Sequence, residues 1–123
     1  MAGCDAPGGD GLWSCATTYT GTAEGILSAT DGDVPTSGMV AALLVLPEGE
    51  EDWVFEGYYE EIEGPLDEDQ KIQEFEGSVD ENGTITPVSG IRFSGSIDLD
   101  GRCEAGGTWE FFGSSNGTWQ ADP

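Results

Sequence analysis

Histidine is absent from this 123-residue chain, and its cations number three: Lys71, Arg92 and Arg102. Without histidine, Ser-His-Asp catalysis, Cys-His catalysis and every His-ligated metal site are excluded. Three scattered cations form no basic patch. That excludes phosphate-backbone binding of nucleic acid and charge-driven docking on an anionic membrane. No stretch has the length of a membrane-spanning helix, and long amphipathic helical periods are missing too. Enzymatic chemistry is left to carboxylates alone, as in glycoside hydrolysis. No acidic pair stands out by position, so a non-enzymatic role is expected.

What is abundant is acid. Asp and Glu total 25, for a net charge of −22, and no cation precedes Lys71. Between Glu48 and Asp69 lie Glu48, Glu50, Glu51, Asp52, Glu56, Glu60, Glu61, Glu63, Asp67, Glu68 and Asp69. Such charge favours solubility and costs stability through self-repulsion. Three readings fit it: a solvated acidic face, adaptation to high salt that screens the repulsion, or binding of a hard cation such as calcium. The hydrophobic fraction of 37% and aromatic fraction of 10% suffice for one compact core, and the length suits one domain.

Turn signals punctuate the chain. Among 20 glycines, Asp31-Gly32, Asn82-Gly83, Asp100-Gly101 and Asn116-Gly117 read as hairpin turns. Between turns lie short alternating runs at 12–20, 23–29, 39–46, 53–59, 72–79, 84–88, 91–99, 108–112 and 118–121. Period two with aromatic and β-branched residues is the strand signature. The first run places Trp13, Cys15, Thr17 and Tyr19 on one face, and the fourth places Trp53, Phe55, Gly57 and Tyr59 on one face. Residues 75–83 and 93–101 share the pattern Phe-x-Gly-Ser-[Val/Ile]-Asp-x-[Asn/Asp]-Gly at an offset of 18. In each copy Phe, Gly and Val or Ile fall on the inward face, where the glycine lets a neighbouring ring approach the backbone. Thr108-Trp109 and Thr118-Trp119 are weaker relatives. Units this short must pair laterally to bury a core. The expected fold is all-β: an antiparallel up-and-down meander forming a small barrel, with a two-sheet β-sandwich as the alternative. Residues 1–11 read as a flexible tether and 12–123 as a single β domain.

Two resemblances bear on address and fold. Ala2-Gly3-Cys4 resembles the end of a bacterial lipoprotein signal, in which the cysteine is lipidated and becomes the first mature residue. Gly11-Leu12-Trp13-Ser14-Cys15, the two Phe-x-Gly hairpins and the closing Gly-Thr-Trp motifs together resemble secreted or lipoprotein bacterial β-meanders, drawn as calycin-like barrels. The lipocalin C-terminal helix has no counterpart here. The resemblance implies a lipid on Cys4 and a disulfide between Cys15 and Cys103, with an extracytoplasmic address at the cell envelope, on the surface or secreted. The rival pairing, Cys4 with Cys15, leaves Cys103 free. Barrel closure would favour the Cys15–Cys103 pair by bringing Cys15 towards the C-terminal strands. A zinc site from the three cysteines is disfavoured, because no two are spaced as C-x-x-C.

Three places could carry binding. Residues 39–46 are apolar on both faces, so Val40, Ala42, Leu44 and Leu46, or their complement, need cover from a loop, a neighbouring sheet or a second subunit. The same stretch also admits a short helix. Asp98, Asp100 and Glu104 resemble part of a calcium loop, against plain turn chemistry. Trp53 and Tyr58 are the candidate aromatic surface for a sugar or other small ligand. The leading expectation is a non-enzymatic, exported interaction module without a cofactor, binding a protein partner or itself. A ligand-binding barrel and a calcium-dependent module are the alternatives.

Overall fold

The computed structural model describes residues 10–29, 32–111 and 115–123. Cys4, and with it the lipidation reading and most of the 1–11 tether, lies outside the described residues, as does Asp31. A short helix α1 (Asp10–Ser14) leads into eight strands: β1 (Thr18–Ala29), β2 (Gly32–Val45), β3 (Trp53–Glu63), β4 (Ile72–Val79), β5 (Thr84–Gly90), β6 (Arg92–Ile97), β7 (Ala105–Phe111) and β8 (Ser115–Asp122). Each pairs antiparallel with the next, and β8 closes on β1, for example Ala23 opposite Trp119. The fold is therefore the closed up-and-down barrel and not the sandwich. Among the described residues, closure leaves no strand at a free sheet edge for stray pairing.

Alternation decides which side chains fill the interior. Along β3, Trp53, Phe55, Tyr59 and Glu61 are buried while Glu56 points out; along β2, Thr36, Gly38, Val40, Ala42 and Leu44 are buried. The two sequence copies converge inside. Phe75 and Phe93 stack at 4.3 Å with ring planes 3° apart. Phe55 and Trp119 extend that group, with Trp119 5.4 Å from Phe93 and Tyr19 5.5 Å from Phe55. Offset and tilted ring pairs of this kind add to the burial free energy. Two of the buried indoles find carbonyl acceptors: Trp109 Nε1–H donates to Glu24 O at 3.2 Å and Trp119 Nε1–H to Ser94 O at 3.0 Å.

Three local expectations are corrected. The run 12–20 is not one strand. Residues 10–14 wind into a helix, so Leu12 and Cys15, three apart, face the core while Trp13 is exposed. Thr18–Thr20 merge with the second run into β1. Asn116-Gly117 is no turn but lies within β8, with Gly117 directly opposite Gly25 of β1. Its role is steric, because a Cβ there would sit 2.6 Å from the Trp109 ring, and one on Gly25 2.8 Å from it. The ring-over-glycine contact expected at Gly77 and Gly95 occurs instead in this paired glycine notch. Residues 39–45 are strand, as the third run reads, and the helix alternative is not taken.

Asn82-Gly83 is a turn, as expected. Asp80 Oδ1 accepts the N–H groups of Asn82 and Thr84, both at 2.9 Å, and Gly83 takes φ +86°.

Candidate functional site

The two ends of the barrel are closed differently. At one end α1 lies across the opening with Leu12 and Cys15 buried. Cys15 is disulfide-bonded to Cys103 in the β6–β7 turn, with Cα atoms 5.5 Å apart. Tyr19 Oη donates to Cys15 O at 2.7 Å. Burial pushes the Tyr19 phenol up to about 12. Trp13 covers this end from outside, edge-on to Trp53 at 4.8 Å.

At the other end, among the described residues, the β3–β4 connection contributes the cover. Leu66 packs against the core and lines a cavity of about 10 Å³ together with Leu27, Tyr59, Ile91, Trp109 and Phe111 among others. The connection is held by a buried carboxylate. Glu61 Oε1 accepts the Leu66 N–H at 2.9 Å, and Oε2 accepts the Thr36 hydroxyl at 2.6 Å. Thr36 Oγ1 lies 2.8 Å from Tyr59 Oη. The Thr36 hydroxyl has one proton and donates it to Glu61, so in the contact with Tyr59 the tyrosine hydroxyl donates to Thr36. Burial raises the Tyr59 pKa, the Thr36 hydrogen bond lowers it and the Glu61 charge raises it further. Gly64 takes φ +151°, which favours glycine, and a Cβ at that position would push on the Glu61 carboxylate.

This arrangement limits the interior chemically. Both Glu61 oxygens are engaged, and the cavity has room for roughly one water. Sites for small organic ligands enclose about 300–1,000 Å³. Glu61 was hidden in the sequence among the acids of the 48–69 run. Strand phase is the signal that locates it: Trp53, Phe55, Gly57, Tyr59 and Glu61 share one face.

The outer wall of β2, β3 and β4 is different in character. Val40, Ala42 and Leu44 point inward and are buried, with Leu46 partly buried against the core, so the named interface face is the core face. The complement, Met39 and Leu43, is exposed. Register places Ala41 directly opposite Tyr58 and Tyr58 opposite Glu74, with Glu56 opposite Glu76 and Glu60 opposite both Met39 and Ile72. Tyr58, Ile62 and Ile72 are exposed alongside them. A groove of about 430 Å³ runs beside Tyr58, between Glu56, Glu74 and Glu76 and floored by Gly57 and Gly90.

The other sequence candidates fare unequally. Trp53 is only 6% exposed, under Trp13, and offers no ligand face; Tyr58 is 42% exposed. Asp98 and Glu104 frame a tight turn, with Asp98 N–H donating to Glu104 O at 2.8 Å and Cys103 N–H to Asp98 O at 3.0 Å. Among the described residues no group of three or more acidic or cysteine side chains stands close enough to hold a metal ion, so Asp98, Asp100 and Glu104 are not brought together as a calcium cage. The disulfide is consistent with an extracytoplasmic protein. Comparison with protein-family models, curated proteins and solved structures returns no match for this chain.

Proposed function

We propose that this protein is a non-enzymatic, exported interaction module that meets a protein partner through the outer wall of β2–β4. The observation that carries this reading is the placement of Met39, Leu43, Tyr58, Ile62 and Ile72, large apolar side chains exposed on three adjacent strands of a barrel whose interior is filled. Clustered exposed apolar side chains on a soluble domain mark contact surfaces. A bacterial envelope address and a lipid on Cys4 belong to the same proposal, supported by the disulfide and by the Ala2-Gly3-Cys4 box. The calycin-like β-meander kinship is supported by the barrel topology. Self-association through this wall is opposed by its own glutamates, which would face their copies. A small-ligand barrel is the weaker reading, given a cavity of about 10 Å³.

The test is site-specific photo-crosslinking in cells of the native source, with the crosslinker at Leu43 or at Asp100 on the far turn. Protein adducts at Leu43 and few at Asp100 are expected. Equal or no adducts at Leu43 would remove the reading.

A further inference from the structure

Resting on that reading, we propose that the outer wall of β2–β4 docks a cationic protein segment whose Lys or Arg side chain lies on Tyr58 between the surrounding glutamates. The argument starts from register. Glu56 and Glu76 stand directly opposite on neighbouring strands, and Glu74 is directly opposite Tyr58. Glu56 and Glu60 flank Tyr58 at two residues on either side, on the same outer face. Like charges directly opposite across a sheet destabilise it, and among the described residues no ion pair reaches these glutamates. Lys71, at the foot of β4, is paired instead with Glu68 at 3.1 Å. Arg92 sits on β6 opposite Glu110 of β7, and Arg102 in the β6–β7 turn.

The same wall is not simply solvated acid. Met39 and Leu43 lie diagonal to Tyr58 across β2, with Ala41 between them, and Ile72 lies diagonal to it across β4. An apolar stripe beside an exposed ring and four carboxylates complements a segment that carries both cations and aliphatic side chains. The ring face attracts an ammonium or guanidinium, and the carboxylates strengthen and steer the approach. A second copy of this chain, at net charge −22, an anionic lipid surface and a nucleic acid all bring the wrong sign.

The test is calorimetric titration of the full chain, in about 0.15 M salt, with a short soluble peptide alternating Lys and Leu and with its Ser-Leu counterpart. Binding of the Lys-Leu peptide alone is expected. Tyr58→Ala should weaken it by about five- to tenfold, Tyr58→Phe should retain it, and Glu56→Gln with Glu74→Gln should weaken it at least as much as Tyr58→Ala. The control pair Glu81→Gln with Asp100→Asn removes the same charge from exposed turns at one end of the barrel. Equal weakening by the control pair would reduce the effect to diffuse attraction and overturn the proposal. Equal binding of the Ser-Leu peptide, lost in Leu43→Ser, would overturn the cationic requirement and leave the interaction wall standing. No binding of either peptide overturns the proposal. Unchanged melting temperatures of the exposed-site variants show that folding is not what was lost.

Discussion

The two ends of this barrel solve one problem in two ways. Each must keep water from a core of stacked rings. The α1 end does so with a covalent bond, Cys15–Cys103, across 88 residues of chain, and with a tyrosine hydroxyl bonded to a helix-end carbonyl. The Leu66 end does so with one carboxylate that gathers a hydroxyl and a backbone N–H beneath a strand connection. Both ends carry a buried tyrosine that donates inward. A disulfide acts on the unfolded ensemble and so stabilises the whole molecule. A hydrogen-bonded latch acts on one segment and governs local opening. The expected asymmetry is a globally held floor and a locally releasable lid.

The largest break in that comparison is removal of the disulfide. In the chain-entropy account, closing a loop of 88 residues contributes about 4–5 kcal/mol. Cys15→Ala with Cys103→Ala should therefore lower the denaturation midpoint strongly, and reductant should do the same to the parent. A midpoint unmoved in urea titration would mean that α1 and the β6–β7 turn contribute no such constraint.

Next in size is Glu61→Ala. It leaves the Leu66 N–H and the Thr36 hydroxyl without their acceptor in a buried place, a loss of about 2–3 kcal/mol. The sharper readout is hydrogen exchange. The Leu66 amide should lose protection far more than amides of β1 next to Cys15. Equal loss at both ends would show that Glu61 is not a local latch.

Alkaline titration compares the two tyrosines. The Tyr19 pKa stands at about 12 in the folded protein against 10.0 when exposed, so the folded state holds its proton more tightly. Its contribution is fully present below pH 10 and is lost as pH rises through 12, on the order of 2–3 kcal/mol in all. Tyr59 is shifted the same way by burial. Tyr19→Phe should flatten the pH 10–12 fall in stability at the α1 end while leaving the Tyr59 part, which thermal melts across that window would separate.

How much of this was readable beforehand depended on whether a local rule had one answer. Strand β4 was legible to its bounds because Ile72–Val79 alternates and ends at an Asx turn. The stacked Phe75 and Phe93 were legible as a repeat. The phase of residues 39–46 was not, because both faces are apolar and only pairing with Thr18 and Glu56 turns Leu43 outward. The helix at 10–14 was missed because five residues hold too little of a 3.6 period to outweigh an apparent alternation. Asn116-Gly117 misled for a different reason: the same dipeptide that favours a turn also clears space for a ring, and the ring of Trp109 lies far away in sequence from Gly25. Glu61 was legible in principle, since the phase of β3 carries it inward, but composition had already assigned its neighbours to solvent. The Tyr58 wall was half legible: the sequence puts Tyr58 outside, and only the register brings Met39, Leu43, Glu74 and Glu76 to it.

The smallest expected effect is the most discriminating. Leu66 is only partly buried, and its side chain caps the cavity without joining the ring stack. Leu66→Ala removes methyl groups from a site already open on one side, a global cost of about 1 kcal/mol. Yet it also opens the apolar end over Ile91 and Trp109, so the local effect should exceed the global one. Indole fluorescence quenching by acrylamide reads this directly if the other three tryptophans are replaced by Phe, leaving Trp109. In the intact chain Trp109 should be shielded; in Leu66→Ala its quenching should rise several-fold while the midpoint of unfolding hardly moves. A small loss of stability with no gain in quenching would assign closure of that end to Leu27 and Phe111 instead of the Leu66 connection. The two ends would then differ in chemistry without differing in how readily they open.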